Sequence, residues 1–184
     1  GTTGRVTGWV ESTQTWTYAS ASTFTVAADV TGILTVGTKI KLTQTTAKYF
    51  YVSASSYSAP NTTVTVTGGS DYTLANATIT SPNYSYAATP QGFPGWFNFT
   101  PGWTGFSVDP SNVTARFFLT GRTMFVQVAQ TTAGTSNATT FTMTGLPIAT
   151  IGGSYGVTTL FLVDNGVTQT SPGLGTIATT VVTL

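Results

Sequence analysis

Thr63-Val64-Thr65-Val66-Thr67 runs directly into Gly68-Gly69-Ser70-Asp71, an alternation of hydroxyl and branched apolar side chains followed by turn residues. Successive side chains of a strand point to opposite faces, so this spacing turns threonine toward water and valine toward a core. Glycine and Asp then supply the turn. The same period recurs on either side, in Thr23-Phe24-Thr25-Val26, in Lys39-Ile40-Lys41-Leu42-Thr43 and in Phe141-Thr142-Met143-Thr144. No segment keeps helical spacing long enough for a helix, and Thr, Val and Phe all favour a pleated surface. The expected class is therefore all-β, built as two small antiparallel barrel or sandwich modules.

Turns sit between the strands at hairpin spacing. Gly121-Arg122 can close a two-residue loop between Thr114-Ala115-Arg116-Phe117-Phe118-Leu119 and Met124-Phe125-Val126-Gln127-Val128. Val113, Ala115, Phe117 and Leu119 then share one face, with Met124, Val126 and Val128 opposite. Asp164-Asn165-Gly166 plays the same part after Leu160-Phe161-Leu162-Val163. Composition shifts between Pro90 and Pro110, where Pro, Gly and aromatic residues crowd together and a central strand is disfavoured. That stretch reads as the joint between a module over 1–105 and a second over 106–184.

The chain of 184 residues carries six Lys/Arg and five Asp/Glu, a net charge of +1, and neither His nor Cys. Nucleophilic triads using His or Cys, and metal sites built from imidazole or thiolate, are thereby excluded. No Lys/Arg cluster offers a footprint for nucleic acid. Lys39 and Lys41, two apart on one strand, read as a solvated face. No apolar run is long enough to span a membrane, and Gly1 to Gly4 has no feature of a secretory signal. A carboxylate pair for glycoside cleavage must come from Glu11, Asp29, Asp71, Asp109 and Asp164, and all but Glu11 adjoin turn residues, where Asp caps its own backbone. No Asp-X-Asp spacing suggests calcium. Neither catalysis, nor a cofactor, nor a metal is expected.

Aromatic residues carry the sharper expectation. Phe93, Trp96, Phe97, Phe99, Trp103 and Phe106 lie close together in sequence, and Trp96, Asn98 and Trp103 could line a platform for a glycan, the rings stacking on sugar C–H groups and the amide bonding hydroxyls. The competing expectation is packing between modules or subunits. Trp9, Trp16 and Tyr18 read as the core edge of a first strand; Tyr84 and Tyr86, near Pro82 and Asn83, could be exposed, and core or interface is the favoured assignment for both sets. Asn61, Asn76, Asn83, Asn98, Asn112 and Asn137 each open an Asn-X-Ser/Thr triplet, for which turn formation is the expected use.

Several of these tracts, in order, are Gly37-Thr38-Lys39-Ile40-Lys41-Leu42-Thr43-Gln44, Lys48-Tyr49-Phe50-Tyr51-Val52, Thr63-Val64-Thr65-Val66, Asp71-Tyr72-Thr73-Leu74-Ala75-Asn76 and Pro90-Gln91-Gly92-Phe93-Pro94-Gly95-Trp96-Phe97. Over residues 9–105 this order resembles a module of structural proteins from tailed bacteriophages and prophages, the minor structural or tail proteins. Residues 106–184 are similar to a second module of such proteins, through Ala115-Arg116-Phe117, Gly134 to Phe141, Leu146-Pro147 and Asp164-Asn165-Gly166. The resemblance implies a virion component on a tail fibre or capsid surface, made in the bacterial cytoplasm and partnered by other virion proteins. By analogy it implies a homo-oligomer, a trimer first. It transfers no catalytic motif. The alternatives it leaves open are a receptor-binding module for a host surface glycan and a polysaccharide-degrading spike. Thr135 to Thr139 and Asn165 to Thr170 are the expected loop tips.

Overall fold

A computed structural model describes residues 7–137 and 140–149 with their side chains, and from 150 onward the backbone of short strands. Among the described residues every regular element is a strand, and the class is all-β as expected. In chain order the strands are β1 (Val10–Glu11), β2 (Trp16–Ser20), β3 (Thr23–Val26), β4 (Lys39–Gln44), β5 (Thr46–Ser58), β6 (Asn61–Thr67), β7 (Thr80–Ser85), β8 (Phe97–Asn98), β9 (Gly102–Thr104), β10 (Phe106–Val108), β11 (Ser111–Thr120), β12 (Thr123–Thr132), β13 (Thr135–Ser136) and β14 (Thr142–Thr144). Beyond them lie β15 (Ser154–Tyr155), β16 (Thr159–Leu160), β17 (Val163–Asp164), β18 (Val167–Thr168), β19 (Gly173–Leu174), β20 (Thr176–Ala178) and β21 (Val181–Thr183).

Two compact units result, Gly1–Asn98 with Arg116–Val126, and Phe99–Ala115 with Gln127–Leu184. A single cut at 105 does not describe this grouping, because the hairpin around Gly121 returns to the first unit. The first unit holds a seven-stranded antiparallel sheet in the order β1-β7-β4-β5-β6-β3-β2. Its outermost strands, β1 and β2, pair on one side only, so the sheet is open and not a closed barrel.

The Thr/Val alternation places side chains as its period requires. Val64 and Val66 of β6 are buried beside Phe24 and Val26 of β3, Ile40 and Leu42 of β4, and Phe50 and Val52 of β5. Trp16, on the edge strand β2, stacks on Phe24 with ring centroids 4.5 Å apart. Two buried polar side chains tie loops to this core. The Thr62 hydroxyl donates to the Ala28 carbonyl and accepts from the Val30 amide. The Gln44 amide donates to the Ala75 and Ala77 carbonyls and accepts from the Ala75 N–H. Each is a paired polar group in an apolar setting, where an unpaired one would cost about 1–3 kcal/mol.

The opposite face of β4 and β5 departs from the sequence expectation. Lys39 is buried, at 7% exposure, and Lys41 half-buried. Rings cover that face: Phe93 and Phe97 lie 5.0 Å and 5.3 Å from Tyr51, and Phe97 contacts Phe117 at 5.8 Å. Phe97 and Phe117 sit directly opposite each other in the β8–β11 pairing. Trp9 and Tyr72 extend the layer over Tyr49. The Lys39 ammonium reaches the Ala87 carbonyl at 3.1 Å, over the rings of Tyr51 and Phe93. A lysine bounded by aromatic rings is covered without being neutralised, which the alternation of charge and apolar residue along β4 does not reveal.

In the second unit β14 pairs with β9 and β21 within the order β15-β20-β21-β14-β9. Met143 and Leu146 are buried there, and β10 pairs with β13. Thr135 and Ser136, expected in a loop tip, therefore belong to a ladder. Val163 pairs with Thr168 and Asp164 with Val167, which frames the expected hairpin. The rest of the 165–170 tip, and 138–139 of the other, lie outside the described residues.

Phe24→Ala should lower unfolding free energy by about 3–5 kcal/mol in urea titration, as expected for an aromatic ring removed from a packed core. Burial lowers the Lys39 pKa from its ordinary 10.5. A lowered lysine pKa means that the charged form opposes folding, so stability should rise as pH climbs through the folded value toward 10.5. Lys39→Met should lack this rise, and the difference between the two pH profiles isolates it from tyrosine ionisation.

Candidate functional site

Phe97 and Phe117 face inward, so their chain neighbours Asn98, Arg116 and Phe118 face the other side of the same ladder. On that outer face the first unit assembles a continuous strip. Trp96, 37% exposed, meets Phe118 edge to face at 4.6 Å. Phe125 of β12, 49% exposed, stacks on Phe118 with centroids 4.9 Å apart and planes 9° from parallel. The Arg116 guanidinium lies 4.6 Å from the centre of the Trp96 ring, a cation–π contact that also restrains the indole.

The polar end of the strip is anchored by the turn that ends β6. The Asn98 backbone N–H donates to one Asp71 carboxylate oxygen at 2.8 Å, and its side-chain amide donates to the other at 3.0 Å. The Ser70 amide donates to the Asn98 carbonyl. Gly69 permits this approach, since its φ is +60° and a Cβ there would collide with the Asn98 carbonyl oxygen. Asp71 was expected to cap its own turn. It serves a strand distant in sequence instead, because β8 lies directly over the turn.

Of the three residues expected in a glycan platform, Trp96 and Asn98 stand together on this face. Trp103 belongs to the second unit, where it packs at 6.4 Å from Phe106 and 5.8 Å from Phe141. Arg116, Phe118 and Phe125 complete the strip; parity alone could have found Arg116 and Phe118, which alternate with the buried Ala115, Phe117 and Leu119, whereas on β12 the expected inward Val126 is 37% exposed. Chemically the face offers ring surface for apolar C–H groups beside a guanidinium, an amide and a carboxylate, planar groups that suit vicinal hydroxyls.

The remaining acids are dispersed. Asp29 accepts from the Thr31 amide and hydroxyl, the turn cap expected of it, and the hydroxyl bond first, then the amide, holds its carboxyl below the ordinary range. Glu11 borders a shallow cleft of about 600 Å³ with Trp9, Lys41, Tyr49 and Asn83. Asp109 is exposed beside Pro110 in the second unit, and the Asp164 side chain lies outside the described residues. Among the rings, Tyr51 has its phenol pKa raised by burial, offset in part by a backbone hydrogen bond with Leu119. Tyr84 packs against the core, the favoured assignment, whereas Tyr86 is exposed. Comparison with known proteins finds no family model, no curated protein and no solved structure that matches the chain.

Gly69→Ala should destabilise the first unit by more than about 1 kcal/mol, because alanine is strained at this φ and displaces β8. Asp71→Ala should cost less, since its bonds to Asn98 are exposed. Urea unfolding followed by tryptophan emission checks both, and equal losses would contradict the seating of β8 described here.

Proposed function

We propose that this chain is a bacteriophage virion structural protein, exposed on a tail fibre or capsid surface, that acts by self-assembly and by presenting a surface. The proposed role is non-enzymatic, and the proposed partners are copies of itself and other virion proteins. The resemblance over 9–105 and 106–184 supports the virion setting. The observation that carries the assembly reading is the edge strand β12.

β12 lies at the end of its sheet, in the order β12-β11-β8. Its sequence, TMFVQVAQTT, contains neither a charge nor a proline. Within the first unit it exposes Phe125 and Val126, the latter at 37%. Exposed strand edges invite pairing, and chains that remain monomeric commonly protect them with lysine, proline or a bulge. An edge with none of these side chains, bearing two large apolar groups, suits pairing with another copy. A trimer is the arrangement favoured by analogy.

A second reading, recognition of a host surface glycan, is favoured by the Trp96–Phe118–Phe125 strip with Arg116 and Asn98 beside it. The two readings make different demands on the same hairpin: assembly uses the β12 edge, whereas a platform needs the strip open to solvent.

Light scattering during gel filtration should give the mass of an oligomer, three copies by preference, and Val126→Lys should shift it to one copy while circular dichroism stays β-rich. A wild-type chain that remains single at high concentration would remove the assembly reading. Trp96→Ala should leave the oligomer intact, and loss of host-cell adhesion in that variant would favour the glycan reading.

A further inference from the structure

We propose that a second cleft in the first unit, bordered by Lys39 and Arg122, binds an oxyanion, a carboxylate, phosphate or sulfate group, carried on a hydroxyl-rich ligand. The inference stands independently of assembly through β12. The cleft has a volume of about 610 Å³, and its walls include Thr31, Thr35, Thr38, Lys39, Tyr86 and Arg122. Among the described residues two cationic side chains border it, and no acidic one does.

Lys39 is the first reason. Its described contacts are the Ala87 carbonyl and two ring faces, none of them a negative charge. An ammonium group has three N–H donors, and one carbonyl satisfies one of them. Covering a charge without neutralising it is costly, and the lowered pKa of Lys39 reflects that cost. An arriving anion would relieve it.

Arg122 is the second. It occupies the two-residue turn between β11 and β12, and backbone packing fixes that turn beside the cleft. Gly37 has φ +91° and Gly121 φ +59°. A Cβ on Gly37 would collide with the Gly121 carbonyl oxygen, so the two backbones touch where only glycine fits. The turn is thereby held at the rim, where Arg122 borders the cleft and no acidic residue lines it among the described residues, and a planar guanidinium fork suits an oxyanion.

The walls between the cations are hydroxylated. The Thr35 and Thr38 hydroxyls are 3.3 Å apart, and Ser55, which also borders the cleft, holds the one buried side-chain oxygen without a hydrogen-bond partner among the described residues. The nearest acid along the chain, Asp29, has its Oδ1 engaged by the Thr31 amide and hydroxyl and does not line the cleft. Cations flanking hydroxyl-bearing walls match an acidic saccharide better than a bare apolar acid.

The test is an NMR titration of the full chain with three probes: inorganic phosphate, an oligogalacturonate, and the neutral methyl ester of that oligosaccharide. Binding of the oligogalacturonate should move the amides of 37–39 and 121–122. It should weaken about tenfold in Arg122→Ala, the loss of one charge-assisted hydrogen bond, and fade in about 0.5 M NaCl. Arg122 is exposed, so this variant should keep its fold, and Arg122→Lys should recover part of the affinity. Phosphate acting at the same amides with the same Arg122 dependence would assign the site to the oxyanion itself, and response to the oligosaccharide alone would assign it to the acidic sugar. Binding of the ester as tightly as the acid, an affinity unchanged by Arg122→Ala, or no movement of those amides with any probe would overturn the proposal.

Discussion

Strand β5 is covered on both faces over Tyr49–Val52, with Phe50, Tyr51 and Val52 buried and Tyr49 half-buried, and the first unit is organised by that constraint. One face of β5 gives Phe50 and Val52 to the valine-lined core, and the other gives Tyr49 and Tyr51 to the layer formed by Trp9, Phe93, Phe97 and Phe117. A sheet covered on one side only would leave Tyr51 and Lys39 in water. With β8 and the β11–β12 hairpin laid over it, the same sheet gains a second apolar layer from chain that lies well downstream. The outer surface of that added layer is where Trp96, Arg116, Phe118 and Phe125 stand, so the packing of Phe97 and Phe117 inward is what turns the strip outward.

Scarcity of charge shapes the rest. With so few ionic groups, polar satisfaction falls to hydroxyls, amides and the backbone: Thr62, Gln44 and Asn98 each fix a loop or strand through short-range bonds to main-chain or carboxylate partners. Such groups can be buried at modest cost once paired, which explains how the core admits Thr62 and Gln44 at all. The same scarcity makes each remaining cation conspicuous. Lys39 lies under rings, Arg116 lies over a ring, and Arg122 stands on a turn held by two glycines. None of these placements resembles the mixed, evenly charged exterior of an ordinary soluble domain.

Period and turn chemistry made much of the fold legible. The Thr/Val run of β6, the Thr23–Val26 strand and the Gly121-Arg122 hairpin follow from local spacing, and the structure has each where the spacing puts it. What could not be read is which faces are covered by distant chain. Lys39 looked solvated because its strand neighbours alternate, yet the rings against it are Tyr51 of the adjacent strand and Phe93 from distant chain, in a layer that Phe97 and Phe117 extend over Tyr51. Asp71 looked like a turn cap because nothing in the local sequence announces Asn98. Two of the five residues of the outer strip, Trp96 and Asn98, were visible because tryptophan and asparagine are distinctive residues. Arg116, Phe118 and Phe125 were concealed within a strand pattern whose inward residues drew the assignment, and Trp103 was joined to them only by proximity along the chain.

Hydrogen exchange across the native chain addresses the double burial of β5 most directly. If that strand is the organising element, the amides of Tyr49–Val52 exchange only through global unfolding and are the slowest of the first unit, slower than those of the edge strand β2. Exchange at Tyr49–Val52 as fast as in β2 would mean that the aromatic layer opens independently, and the account of a sheet sealed on both faces would be wrong.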